Sequence, residues 1–130
     1  KSSAFDAAVT MLKNKCGALL VCDEKKKNLL IGIVTERDLT FRVIPSCLDP
    51  KDTKIKEIMT KNPDTISPNK TTIDAIKIMK SKGFRHLPVI EKNQIVGILS
   101  MRDLYDAHAE LLQESLKKHQ EFMFGTGYGT

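Results

Sequence analysis

Along this chain of 130 residues the apolar positions change period in the same order twice. Ala7, Ala8, Met11 and Leu12 recur at helical spacing, and so do Ile73, Ile76 and Met79. A turn signal closes each stretch, Asn14 to Gly17 in one case and Lys82-Gly83 in the other. A short apolar run follows, ALLVC and then HLPVI, then a polar turn, then LLIGIVT and QIVGILS. Each run predicts a strand, and closing helices are predicted to begin near Glu36 and Met101. A helix, a hairpin and another helix, twice over, predict a mixed α+β fold with helices layered on small sheets.

The two halves are copies of each other. A shift of 68 residues lays DAAVTMLKNKCGALLVC (residues 6–22) on DAIKIMKSKGFRHLPVI (residues 74–90). After a three-residue excess in the first copy, LLIGIVTERDL falls on QIVGILSMRDL, and ten of the 28 aligned positions are identical. One repeat unit rarely buries its own apolar face, so the expected object is a closed pair with pseudo-two-fold symmetry. The expected boundaries are a first copy at 1–48, a linker at 49–62, a second copy at 63–108 and a tail at 109–130. Pro63 and Pro68 bracket an extended piece, Asp64 to Ser67, read as a leading strand of the second copy, with Thr71 or Thr72 as the next N-cap. The first copy begins at Lys1-Ser2-Ser3 with no counterpart. One edge of its sheet is therefore expected to be incomplete, or filled by another chain.

Composition narrows the class without choosing a ligand. Hydrophobic residues make up 41% and charged residues 28%, the balance of a water-soluble domain. No apolar run approaches the roughly 18–20 residues that a membrane-spanning helix needs. Cys16, Cys22 and Cys47 are odd in number and lack metal-like spacing, so they read as reduced thiols of an intracellular, cytoplasmic protein whose native N-terminus is not seen. The net charge of +5 favours anionic partners in general, and Lys25-Lys26-Lys27 reads as a solvated turn, with a binding patch as the alternative. Only two tyrosines are present and no basic–aromatic interleaving occurs, so nucleic acid is not an expected partner. Ser100, Asp103 and His108 lack a nucleophile elbow or metal spacing, which leaves a hydrolytic reading without support.

The most closely matched phrases are GIVTERDL (residues 32–39) and GILSMRDL (residues 97–104). Each places a hydroxyl three residues before an acid, Thr35 with Asp38 and Ser100 with Asp103. That spacing is a capping box, in which the hydroxyl accepts from a backbone N–H and the acid reaches back. The same geometry suits a ligand: a helix start favours phosphate, and a carboxylate can accept from both hydroxyls of a ribose. Gly32 and Gly97 would admit close backbone approach. The two readings are compatible.

The order of helix, LPVI and GILSMRDL, preceded by IMTKNPDTIS, resembles the cystathionine-β-synthase (CBS) domain, which nearly always occurs as a tandem pair. The likeness runs from about Ser3 to His108, with IKEIMT between the copies. It implies two β-α-β-β-α repeats packed through their small sheets, the first lacking its leading strand, with two clefts that take an adenosine-containing ligand such as AMP, ADP, ATP or S-adenosylmethionine. It implies a regulatory, non-catalytic module that requires no cofactor. Carried over residue by residue, Thr35 and Ser100 would face phosphate or ribose oxygens, and Asp38 and Asp103 would hold the ribose. Arg85 and His86 would point toward phosphates, with a solvated strand end as the other reading. Thr65, Ile66, Leu87 and Pro88 would form the adenine slot. Gly17-Ala18 stand where Arg85-His86 stand, so the clefts should differ and the second is favoured. The last helix is expected to run on from Arg102 with Leu104, Leu111 and Leu112 on one stripe, suited to a homodimer. The alternative is a dimerisation scaffold with empty clefts.

Overall fold

The computed structural model describes residues 2–106. The chain divides into two compact units, Lys1–Asn69 with Leu87–Ile98, and Lys70–His86 with Leu99–Thr130. Residues 107–130 lie outside the described range, and with them the expected tail, His108, Leu111 and Leu112.

Local geometry repeats with the sequence. Helix α1 (Ala4–Asn14) starts on a capping box: the Asp6 N–H donates to Ser3 Oγ at 3.1 Å and the Ser3 N–H donates to Asp6 Oδ2 at 3.1 Å. Helix α4 (Thr72–Lys82) starts on the same box between Thr71 and Asp74, with both bonds at 3.1 Å. Both helices end on a left-handed residue, Lys15 at φ 52° and Gly83 at φ 76°, whose N–H returns to Met11 O and Met79 O. Lys15 occupies a region that costs a side-chain-bearing residue roughly 1 kcal/mol and glycine nothing. Each of these pairs is 68 residues apart, the shift found in the sequence.

The hairpins then differ in their turns. Strands β1 (Ala18–Cys22) and β2 (Leu30–Thr35) run antiparallel with Ala18 opposite Thr35, and the register slips between Val21 and Cys22. Their connection is a wide loop in which the Asp23 carboxylate accepts from the Lys25 and Lys26 N–H groups at 2.8 and 2.9 Å. Strands β4 (His86–Glu91) and β5 (Gln94–Ser100) are joined by Lys92 and Asn93 alone, at φ 51° and 63°. Two successive positive φ values are the signature of a type I′ turn, whose twist matches the strands it joins. Beyond the turns the copies fall back into step. The Glu36 N–H donates to Gly17 O at 3.0 Å, as the Met101 N–H donates to Arg85 O at 2.7 Å.

In the first unit, the expected closing helix is one short turn, α2 (Glu36–Asp38), which widens into a π-turn over Leu39–Val43. Within residues 49–62 the chain forms α3 (Ile55–Ile58) and β3 (Thr60–Lys61), and β3 pairs with β2. The sheet order β1-β2-β3 leaves β1 with one neighbour among the described residues. The piece read as a leading strand makes a single parallel bridge, Ile66 to Val89: the Ile66 N–H donates to Pro88 O at 3.0 Å and the Ile90 N–H to Ile66 O at 2.9 Å. Ala4, Ala7, Met11, Val21, Val34, Val43, Ile58 and Met59 form one apolar cluster. Complete burial of a side chain such as Val34 or Ile58 stabilises the fold by about 1.5–3 kcal/mol. In the second unit, Ala75 and Met79 are the buried face of α4, Leu104 is buried, and residues 101–106 are helical.

Candidate ligand site

Both hydroxyl–acid pairs are capping boxes. The Thr35 N–H donates to Asp38 Oδ2 at 2.8 Å, and the Asp38 N–H donates to Thr35 Oγ1 at 3.3 Å. The Ser100 N–H donates to Asp103 Oδ2 at 3.3 Å, and the Asp103 N–H donates to Ser100 Oγ at 3.1 Å. What surrounds each box differs.

Asp38 is 8% exposed, and its second oxygen is taken. Arg42 Nε lies 3.5 Å from Asp38 Oδ1, while Arg42 Nη1 donates to Ile58 O at 3.0 Å and to Met59 O at 3.3 Å. One guanidinium thus ties the first copy's acid to the carbonyls that end α3. Asp103 is exposed, and among the described residues only its Oδ2 is engaged. In the aligned sequence Ala107 stands where Arg42 stands, and among the described residues no arginine pairs with Asp103.

The neighbouring backbone repeats the contrast. A Cβ built on Gly17 would lie 3.1 Å from the Glu36 carboxyl carbon, so a carboxylate stands over the Gly17 backbone. In the second copy those two positions are Arg85, exposed, and Met101, half-buried. A Cβ on Gly32 would meet Met59 Sδ at 2.4 Å and Thr60 O at 3.0 Å, whereas one on Gly97 meets nothing within 4 Å among the described residues. At Gly32 the close approach is made by the chain's own α3–β3 segment.

The remaining candidates are placed as follows. His86 opens β4, is half-buried and is already engaged. Thr65 is exposed; Ile66, Leu87 and Pro88 are buried in the first unit. The Ile66 N–H and C=O and the Pro88 C=O are spent on the parallel bridge. Glu36 and Arg42 escaped sequence reasoning. Their signal was present: Glu36 puts a negative charge where the second copy has the neutral Met101, and Arg42 follows Asp38 at the i, i+4 spacing of a helical ion pair. Among the described residues no group of histidine, cysteine or carboxylate side chains could hold a metal, and no helix is long and apolar enough to cross a membrane.

The CBS domain family model matches residues 1–44 and 55–110. The chain belongs to the CBS-domain family. The CBS domain-containing protein CBSCBSPB2 of Arabidopsis thaliana is 36% identical over 107 residues, which is 82% of this chain and 20% of that protein. This CBS pair therefore spans about a fifth of the length of that relative. Among solved structures, a putative signal-transduction protein with CBS domains from Burkholderia ambifaria is 33% identical at a TM-score of 0.77, covering 82% of this chain and 76% of that one. The CBS domain protein PAE2072 from Pyrobaculum aerophilum, complexed with AMP, is 27% identical at a TM-score of 0.78, covering 88% and 86%.

Proposed function

We propose that this CBS pair is a regulatory, non-catalytic module that binds one adenosine-containing ligand per chain, through its second copy. The candidates are AMP, ADP, ATP and S-adenosylmethionine. The observation that carries the reading is the exposed Asp103, with one carboxylate oxygen held by the Ser100 box and the other without a partner among the described residues. That second oxygen accepts ribose hydroxyls, while Ser100 and Arg85 supply donors for phosphate oxygens. His86 is assigned to the phosphates, and Thr65, Ile66, Leu87 and Pro88 to the adenine ring. In the first copy, Thr35 and Asp38 serve the fold instead: Arg42 closes over the acid and Glu36 repels phosphate. The AMP bound to PAE2072 supports this ligand class.

A ligand present at 100 times its dissociation constant stabilises the folded chain by about 2.7 kcal/mol. A melting-temperature panel with AMP, ADP, ATP and S-adenosylmethionine tests the proposal. At least one compound raises the melting temperature of the wild type, and Asp103→Ala abolishes the rise while circular dichroism reports an unchanged fold. A homodimer belongs to the same proposal. It is supported by the single-neighboured edge of β1 and by Leu12, Phe41 and Ile44, which are 80%, 64% and 69% exposed in the first unit. A monomeric mass by light scattering overturns that part. If no adenosyl compound acts, a scaffold with empty clefts is the reading that stands.

A further inference from the structure

The three-residue excess of the first copy sits in the β1–β2 turn, and it carries Lys25, Lys26 and Lys27. Beside that turn lies a groove of about 450 Å³ lined by Lys26, Lys27, Asn28, Leu29, Asn93 and Gln94. The Ile95 N–H donates to Asn28 O at 3.1 Å, which ties the wide turn to the β4–β5 turn within the first unit. Five of the six lining side chains carry N–H donors, and two of those are ammonium groups.

The carboxylates nearest in sequence are committed elsewhere. Asp23 is turned onto the Lys25 and Lys26 N–H groups, and those backbone bonds hold its carboxyl below the usual carboxylate range. Glu24 pairs with Lys56 at 3.6 Å. Neither Lys26 nor Lys27 forms an ion pair among the described residues. Lys25 and Lys92 flank the groove in sequence and add to its positive field.

We propose that this groove is an anion site, separate from the adenosyl site, that takes a compact polyphosphate group, of the class of a di- or triphosphate. The size suits a small ligand. The lining matches a multivalent oxyanion, because the lysines act as point charges and the amides donate hydrogen bonds. A peptide partner would need a buried apolar anchor to bind, and the lining offers only Leu29. The wide β1–β2 turn of the first copy supplies both lysines that line the groove.

Titration of the full chain with sodium tripolyphosphate, followed by amide NMR, tests the site. Saturable shifts are expected at residues 26–29 and 93–95. Exchanging two charged hydrogen bonds in the double variant Lys26→Gln/Lys27→Gln weakens them by at least about tenfold. Both lysines are exposed, so the variant folds, and unmoved α1 amides verify that it does. Asp103→Ala leaves this binding unchanged, which separates its failure from failure of the adenosyl reading. ATP that moves the same amides while adenosine does not identifies a nucleotide's phosphate tail as a source; tripolyphosphate acting without ATP acting identifies free polyphosphate. Absence of shifts with millimolar tripolyphosphate overturns the site, as do shifts that persist undiminished in the double variant.

Discussion

The two copies keep one frame and give the same acid opposite surroundings. Ser or Thr three residues before Asp builds a capping box at four helix starts, Ser3, Thr35, Thr71 and Ser100, so the box is a structural device common to both copies. It cannot by itself mark a ligand site. What separates Asp103 from Asp38 among the described residues is the next layer: Arg42, Glu36 and the Met59–Thr60 segment in the first copy, and Met101 with no described neighbour over Gly97 in the second. A duplicated motif keeps its folding role in both copies, and its neighbours decide whether it has an oxygen to offer.

Substitutions at matched positions should therefore cost unequal amounts. Asp38→Ala loses a cap and the half-exposed ion pair to Arg42, for about 1.5–2 kcal/mol by urea denaturation. Asp103→Ala loses a cap alone, about 1 kcal/mol. Equal costs would erase the distinction between the copies. Gly32→Ala must displace Met59 and crowd the Thr60 carbonyl, a packing cost of about 1–3 kcal/mol. Gly97→Ala enters open space and changes stability by less than about 0.5 kcal/mol.

The smallest effect sharpens the frame. Asp74 is held below its ordinary value of 3.8 chiefly by the Thr71 backbone N–H, then by the Thr71 side chain. A depressed carboxylate stabilises above its unfolded value and loses that contribution as pH falls through the folded one. Amide protection in the first turn of α4, measured against the intrinsic exchange rate at each pH, should therefore fall on acidification below about pH 4, and Thr71→Val should remove much of that dependence.

Helix and strand order, the α4 cap and the shift of 68 residues were legible because period and capping chemistry are local. Asp64 to Ser67 was legible as extended from its flanking prolines, but its shortening to one bridge at Ile66 depends on where β4 runs. The π-turn at Leu39–Val43 was not legible, and neither were the Arg42 bonds to the α3 carbonyls: those bonds reach Ile58 and Met59, 16 and 17 residues away in sequence, and no local period reports a contact of that range. For the same reason Gly32 read as room for a ligand until Met59 was placed beside it.

Calorimetric titration of the full chain with AMP, counting equivalents bound, tests the central claim most directly. The account predicts one equivalent per chain, lost in Asp103→Ala and retained in Glu36→Gln. Two equivalents, or binding that survives Asp103→Ala, would contradict it.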